Sequence, residues 1–162
     1  MPHTNYDYIS IRPFREGQLA SSVPKLSRSA LNETGGIIPY GRAIVLDGGK
    51  PALPSETGQE VIGISWLVQI YENQLDNNSD SGYPDNVMFD YLAQGEIAVY
   101  VEENVAVGDA VYFRHTANGA GKNIIGRFRN DADTDTCDLF PNARWVQGAT
   151  AGNLAVLAIN LP

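Results

Sequence analysis

Cysteine is almost absent from this sequence: Cys137 stands alone in 162 residues. No internal disulfide can staple the fold, so stability must come from packing, and the chain suits a reducing compartment. Histidine is nearly as scarce. His3 and His115 are too few for the metal centre of a cupin-like barrel. Basic residues are outnumbered, 11 against 19 acidic, for a formal charge of -8. That balance argues against a nucleic-acid partner, which needs a basic patch and counterion release, and against an anionic membrane surface. Long hydrophobic runs are missing too. The most apolar stretch, 61–68, falls far short of the ~20 residues a bilayer-spanning helix needs. The leading Met1-Pro2-His3-Thr4-Asn5-Tyr6 lacks the charged-then-apolar pattern of a secretory signal, so a soluble, not conventionally exported protein is expected.

What is present is turn chemistry and alternation. With 16 Gly, 9 Pro and 43% hydrophobic residues, the chain reads as one globular domain of many short strands. Its centre is the stretch 95–114. Ile97, Val99 and Val101 alternate there with Glu96, Ala98, Tyr100 and Glu102, the period-2 signature of a half-buried strand. Gly108-Asp109 then supplies a turn, and a second β-branched and aromatic strand runs to Arg114. A long strand over 60–71 is expected to put Ile62, Ile64, Trp66, Val68 and Ile70 on one core-lining face. Further strands fall at 42–46, 87–92, 124–128, 142–147 and 153–159. The total is roughly eight strands with no convincing helix, an all-β sandwich or barrel.

Residues 1–36 differ from the rest. They carry Pro2, Pro13 and Pro24 with no sustained period, and four basic residues against three acidic, where 37–162 holds seven against sixteen. The expectation is an extended arm, 1–36, followed by a β body, 37–162. The arm cannot bury enough apolar surface by itself; it either lies on a neighbour or wraps its own domain. Its apolar, aromatic and basic side chains, Tyr8, Ile11, Arg12, Phe14, Arg15, Leu19, Leu26 and Arg28, are the candidate contacts with a neighbour. Tyr40, near a loop, and Trp145, which lacks apolar partners on its strand face, are candidate surface anchors.

No constellation for catalysis assembles. Asp76-Asn77-Asn78-Ser79-Asp80-Ser81-Gly82 resembles the start of a calcium loop, but Gly falls one place late and the bidentate Glu at position 12 is Val87. Asp131, Asp133 and Asp135 alternate with neither Gly nor Glu. Both acidic loops, 76–85 and 131–138, read as solvated turns with calcium binding left open. Gly119-Ala120-Gly121-Lys122-Asn123 joins two strands where a phosphate loop should open a helix. Adjacent Glu102 and Glu103 on a strand would point to opposite faces and could not flank one bond. Cys137 beside Asp138 is disfavoured as a thiolate nucleophile. No cofactor is expected and the chain reads as a binder.

Several segments in order resemble the capsid cement (head-decoration) proteins of tailed bacteriophages. They are Glu16-Gly17-Gln18-Leu19-Ala20, Ile38-Pro39-Tyr40-Gly41-Arg42-Ala43-Ile44-Val45, 95–101, Val107-Gly108-Asp109-Ala110-Val111-Tyr112, and the ending from Ala143-Arg144-Trp145 through 153–160. The loop 72–86 has no counterpart in that pattern. The resemblance implies a jelly-roll-like or barrel-like body with an arm lying across the capsid. It implies binding to the major capsid protein on the shell exterior, at contacts between capsomers, to hold the expanded shell against DNA pressure. It also implies self-association, a trimer ahead of a dimer, in virions assembled in the bacterial cytoplasm, with neither nucleic acid nor membrane as partner. The second reading is a tail-associated glycan-binding β-sandwich module, which would work as an isolated domain and lose affinity with a chelator.

Overall fold

The computed structural model describes residues 15–160 apart from 22, 23, 69, 70, 72, 73 and 77. Among them lie twelve strands and no α-helix: β1 Leu26–Leu31, β2 Ile38–Pro39, β3 Ala43–Asp47, β4 Lys50–Ala52, β5 Val61–Ser65, β6 Gly82–Tyr83, β7 Met88–Tyr100, β8 Tyr112–Arg114, β9 Phe128–Arg129, β10 Cys137–Leu139, β11 Ala143–Gln147 and β12 Leu154–Asn160. The largest sheet runs β11-β12-β7-β5-β3-β4, with β1 also on β7. A three-stranded sheet, β10-β8-β9, and a two-stranded ribbon, β2-β6, complete an open, sandwich-like all-β arrangement that does not close into a barrel. The strand count exceeds the expected eight because several two- and three-residue pieces carry no periodic signal of their own.

The central sheet is buried on both faces. One core holds Ile64, Ile97, Val99 and Leu157 from the sheet with Phe113, Phe128 and Phe140 from the opposing layer. The other holds Ile44, Phe89 and Tyr91 with Ile38 and Tyr83 from the β2-β6 ribbon. Each fully buried aliphatic or aromatic side chain stabilises the fold by about 1.5–3 kcal/mol.

Bulges decide which residue serves which core. On β3 and β5, Ala43 pairs with Ile64, Ile44 with Gly63, and Val45 with Val61, which leaves Ile62 as an extra residue. A bulge flips the alternation. Thus Val61 and Ile64 enter the first core while Ile62 packs on the second. The expected single face of Ile62, Ile64 and Trp66 is therefore corrected, and the strand ends at Ser65. On β7 the partner of Leu26 is Gln94 and that of Ser27 is Leu92, so Ala93 is skipped. Odd positions before it, Phe89 and Tyr91, face the second core; odd positions after it, Ile97 and Val99, face the first. The two strands expected over 95–114 exist, but β7 and β8 belong to different sheets. Val105 bridges Ala149 between them, so the connection crosses layers and is no hairpin.

Candidate interaction surface

Residues 15–20 are locked to their own body. Gly17 N–H donates to Ala98 O (2.8 Å), Ala98 N–H to Gln18 O (2.8 Å) and Ala20 N–H to Glu96 O (2.9 Å), while Leu67 N–H donates to Gly17 O (2.7 Å). Leu19 bridges Ile97 and packs half-buried on the first core. At Ile97 strand β7 therefore has Leu19 on one side and Leu157 on the other. Gly17 and Gly41 meet almost back to back at φ 77° and 69°. A Cβ on Gly17 would lie 2.8 Å from Tyr40 Cβ and 2.9 Å from Gly41 N.

A buried charge cluster sits beneath this crossing. Arg42, fully buried, donates through Nη1 to Glu16 and through Nη2 to Asp80. Arg127 approaches Asp80 at 3.6 Å and lies over the Tyr100 ring at 5.3 Å. Burial pushes the Glu16 carboxyl up to about 7, outweighing the pull of Arg42 and Arg127; Asp80 adds to the rise. A carboxyl whose folded pKa exceeds its unfolded value of 4.5 stabilises the fold fully below that value and loses the contribution as pH rises through about 7. Wild-type protein should therefore show weaker amide protection at Leu67 at about pH 8 than at about pH 5.5, and Glu16→Gln should flatten that dependence. Equal pH dependence in both proteins would refute the assignment to Glu16.

A second cluster fastens the β8-β9-β10 layer. Arg114 is fully buried and donates to Glu102 through Nε (2.8 and 3.0 Å) and Nη2 (2.7 Å). It also donates to Thr116 O, Thr136 Oγ1 and Asp133. Arg129 spans Glu103 (3.0 Å), Asp131 (2.7 Å) and Asp133 (2.9 Å). The hydrogen bond from Arg114, foremost, holds the Asp133 carboxyl below its ordinary range. Glu102 and Glu103 thus converge on Arg129. The strand alternation expected to separate them does not apply, because they occupy the bend that follows β7.

The acidic loops are likewise turned onto the protein's own donors. Asp76 accepts from Asn78 N–H and Asp80 N–H, Asp80 serves Arg42 and Arg127, and Asp131 and Asp133 serve Arg129. The Gly-rich stretch 119–123 joins β8 to β9, and Lys122 Nζ donates to Glu102 O. Burial, foremost, raises the Cys137 thiol to about 11, so it stays protonated near neutral pH.

Of the candidate contacts, Tyr8, Ile11, Arg12 and Phe14 lie outside the described residues. Arg15 N–H donates to Gln18 Oε1 at the turn leading to the crossing. Leu26 and Arg28 stand exposed on β1. The two aromatic anchors are corrected: Tyr40 is only 3% exposed and Trp145 2%. Tyr40 packs edge-on to Tyr83 at 5.1 Å and donates its hydroxyl to Val68 O. Trp145 faces the first core opposite Leu157 and donates Nε1–H to Ala110 O. Its exposed neighbours Arg144 and Val146 mark the alternation that places Trp145 inward.

Sequence reasoning gave no separate strand at 26–31 and no role to Asn32. The Asn32 side chain, fully buried, donates to Gly36 O, Tyr83 O and Pro84 O and accepts from Thr34. It pins the end of β1 to the β6 loop.

The sequence matches the family model described as structural cement protein (E217 gp24/Pam3 gp6) over residues 3–160. No curated protein matches the chain. A chain from the solved capsid of Myoviridae phage XM1 superposes with a TM-score of 0.70 at 15% identity, covering 99% of this chain and 98% of that one; at that identity the likeness is one of fold. The family match takes in the arm crossing, both charge clusters and every strand, and this chain belongs to the phage structural cement protein family.

Proposed function

We propose that this cement protein binds the outer surface of an icosahedral phage capsid at contacts between capsomers and holds the expanded shell against the pressure of packaged DNA. Its partner is the major capsid protein. Residues 1–36 serve as the arm, of which 17–20 and 26–31 are laid on β7 of the body 37–162, and Tyr8, Ile11, Arg12, Phe14 and Arg15 make the leading contacts. The observation that carries this reading is the arm crossing at Gly17 and Leu19. It ties residues 17–20 to β7, so a contact made by the segment ahead of them would be passed on to the core. Linking several modest patches raises the effective concentration of each, which suits a clamp that crosses a joint. Such a structural role requires no turnover. The cement family is structural, and Glu102, Glu103, Asp131 and Asp133 are paired with Arg114 or Arg129.

The test is electron microscopy and co-sedimentation of expanded shells with the full chain and with a variant lacking residues 1–14. The full chain should occupy the shell exterior at symmetry-related joints. The truncated chain, folded as judged by thermal midpoint, should bind at least about a hundredfold more weakly. Undiminished shell binding by the truncated chain would remove the arm from the mechanism. Binding to glycans in place of shells would favour the sugar-recognition reading instead.

A further inference from the structure

Asn118-Gly119 is the one asparagine–glycine pair in the sequence. It lies in the loop that joins β8 to β9, against the arginine cluster that fastens that layer. An asparagine side chain can close on the backbone nitrogen of the residue that follows it, and a Cβ on that residue hinders the approach. Gly119 has none. It is exposed, a Cβ built on it would meet nothing within 4 Å, and its N–H donates to no acceptor among the described residues. Every other asparagine in the chain precedes a residue with a side chain.

The Asn118 amide is held at both of its ends. Nδ2 donates to Asp133, and Oδ1 accepts from Ala120 N–H at 3.1 Å. The second bond closes an Asx-turn, which folds the side chain back along the backbone that follows. It also sets a donor on the oxygen that turns negative when Cγ is attacked. Asn118 N–H donates to Lys122 O at 3.1 Å and closes the loop around this turn.

We propose that Asn118 is a site of spontaneous deamidation, with water as the co-reactant. The Gly119 nitrogen gives its proton to solvent base and forms a bond to Asn118 Cγ. The Cγ–Nδ2 bond then breaks, and the departing nitrogen takes a proton from solvent and leaves as ammonia. Water opens the cyclic imide at one of its two carbonyls. Opening at Cγ yields aspartate; opening at the main-chain carbonyl yields isoaspartate, whose backbone runs through the former side chain. Nothing is oxidised or reduced: an amide and water become an acid and ammonia.

The aspartate product sets a carboxylate against Asp133 in place of a donor. The isoaspartate product withdraws the donor and lengthens the loop backbone. Neither suits the surroundings, because Glu102, Glu103, Asp131 and Asp133 already share two guanidinium groups, Arg114 and Arg129. An acceptor facing an acceptor repels, so the loop should part from Asp133 and admit water to the rim of the cluster. The change also adds a negative charge to a chain already at -8. In a shell whose subunits are not renewed it would act as a clock on the β8-β9-β10 layer. That consequence rests on the cement reading; the modification does not.

Ageing the full chain in mildly alkaline buffer tests the site, with peptide mass spectrometry reading every asparagine. Position 118 should gain about one dalton before any other, and Gly119→Ala should slow the gain about tenfold or more. That variant should fold as the parent does, because Gly119 is not among the glycines of positive φ and its Cβ would face open space. Asn118→Asp reads the consequence. Its thermal midpoint should fall by about 2–4 °C, and hydrogen exchange should quicken at the amide of position 118 and not at that of Leu157. An Asn118 still intact after weeks of ageing, or a gain as fast in Gly119→Ala, overturns the site. An Asn118→Asp chain with an unchanged midpoint overturns the link to the arginine cluster. The free chain is used throughout, so neither result depends on shell binding.

Discussion

Replacing Arg114 by alanine should lower the free energy of unfolding by about 3–5 kcal/mol, a large share of the stability of an ordinary domain. The side chain is fully buried and touches four partners at once: Glu102, Asp133, Thr116 O and Thr136 Oγ1. Its loss would strand Glu102, whose side chain is 4% exposed, with Arg129 at 3.4 Å as its remaining cation. An unneutralised carboxylate in that setting costs more than the hydrogen bonds themselves. Arg114→Lys should recover only part of the loss, since an ammonium cannot reproduce the paired bonds to the Glu102 carboxylate. Urea unfolding of the three proteins measures the ranking. A loss under about 1 kcal/mol for the alanine variant would show that water replaces the guanidinium cheaply.

The second large effect is expected at the arm crossing. Gly17→Ala forces a Cβ onto backbone with φ 77° and to within 2.9 Å of Gly41 N and 3.1 Å of Leu67 N. Neither neighbour is the flexible end of a side chain, so the crossing itself must open. Strain and overlap together should cost about 2–4 kcal/mol, most of it local. Hydrogen exchange should show it directly. The Leu67 and Ala98 amides, which donate to Gly17 O and Gln18 O, should lose about thirtyfold or more of their protection. The amide of Leu157, in the strand on the other side of β7, should hold its protection. Uniform loss at all three would mean that the crossing is part of the global folding unit.

The all-β class and the cement likeness were legible because both rest on local signals: alternation, Gly-centred turns and short motifs in a fixed order. What stayed hidden depends on register. Nothing in Val61-Ile62-Gly63-Ile64 announces that Ile62 is an extra residue opposite β3, yet that one bulge sends Ile62 to the second core and Ile64 to the first. Trp145 and Tyr40 were misread for a related reason. Tyr40 sits in a turn and Trp145 in a strand without apolar neighbours on its face, and burial at both is decided by a distant layer: the Tyr83 ring for one, the Ala110 carbonyl for the other. The arginine clusters were equally out of reach, since Glu102, Arg114, Arg129 and Asp133 meet only through pairing between layers. Leu26 to Leu31 resisted assignment because a strand with only Ala30 packed on a core shows almost no hydrophobic alternation.

The crossing at Gly17 to Ala20 also has a mechanical side. Those residues lie alongside β7, so tension drawn along them from the leading segment is directed in the plane of the bonds to Ala98 and Glu96. Bonds loaded side by side in that way must give together, whereas bonds peeled from one end give in succession. A segment held in this way would resist steady pull far better than its few contacts suggest, and would hand the strain to β7, the longest strand among the described residues.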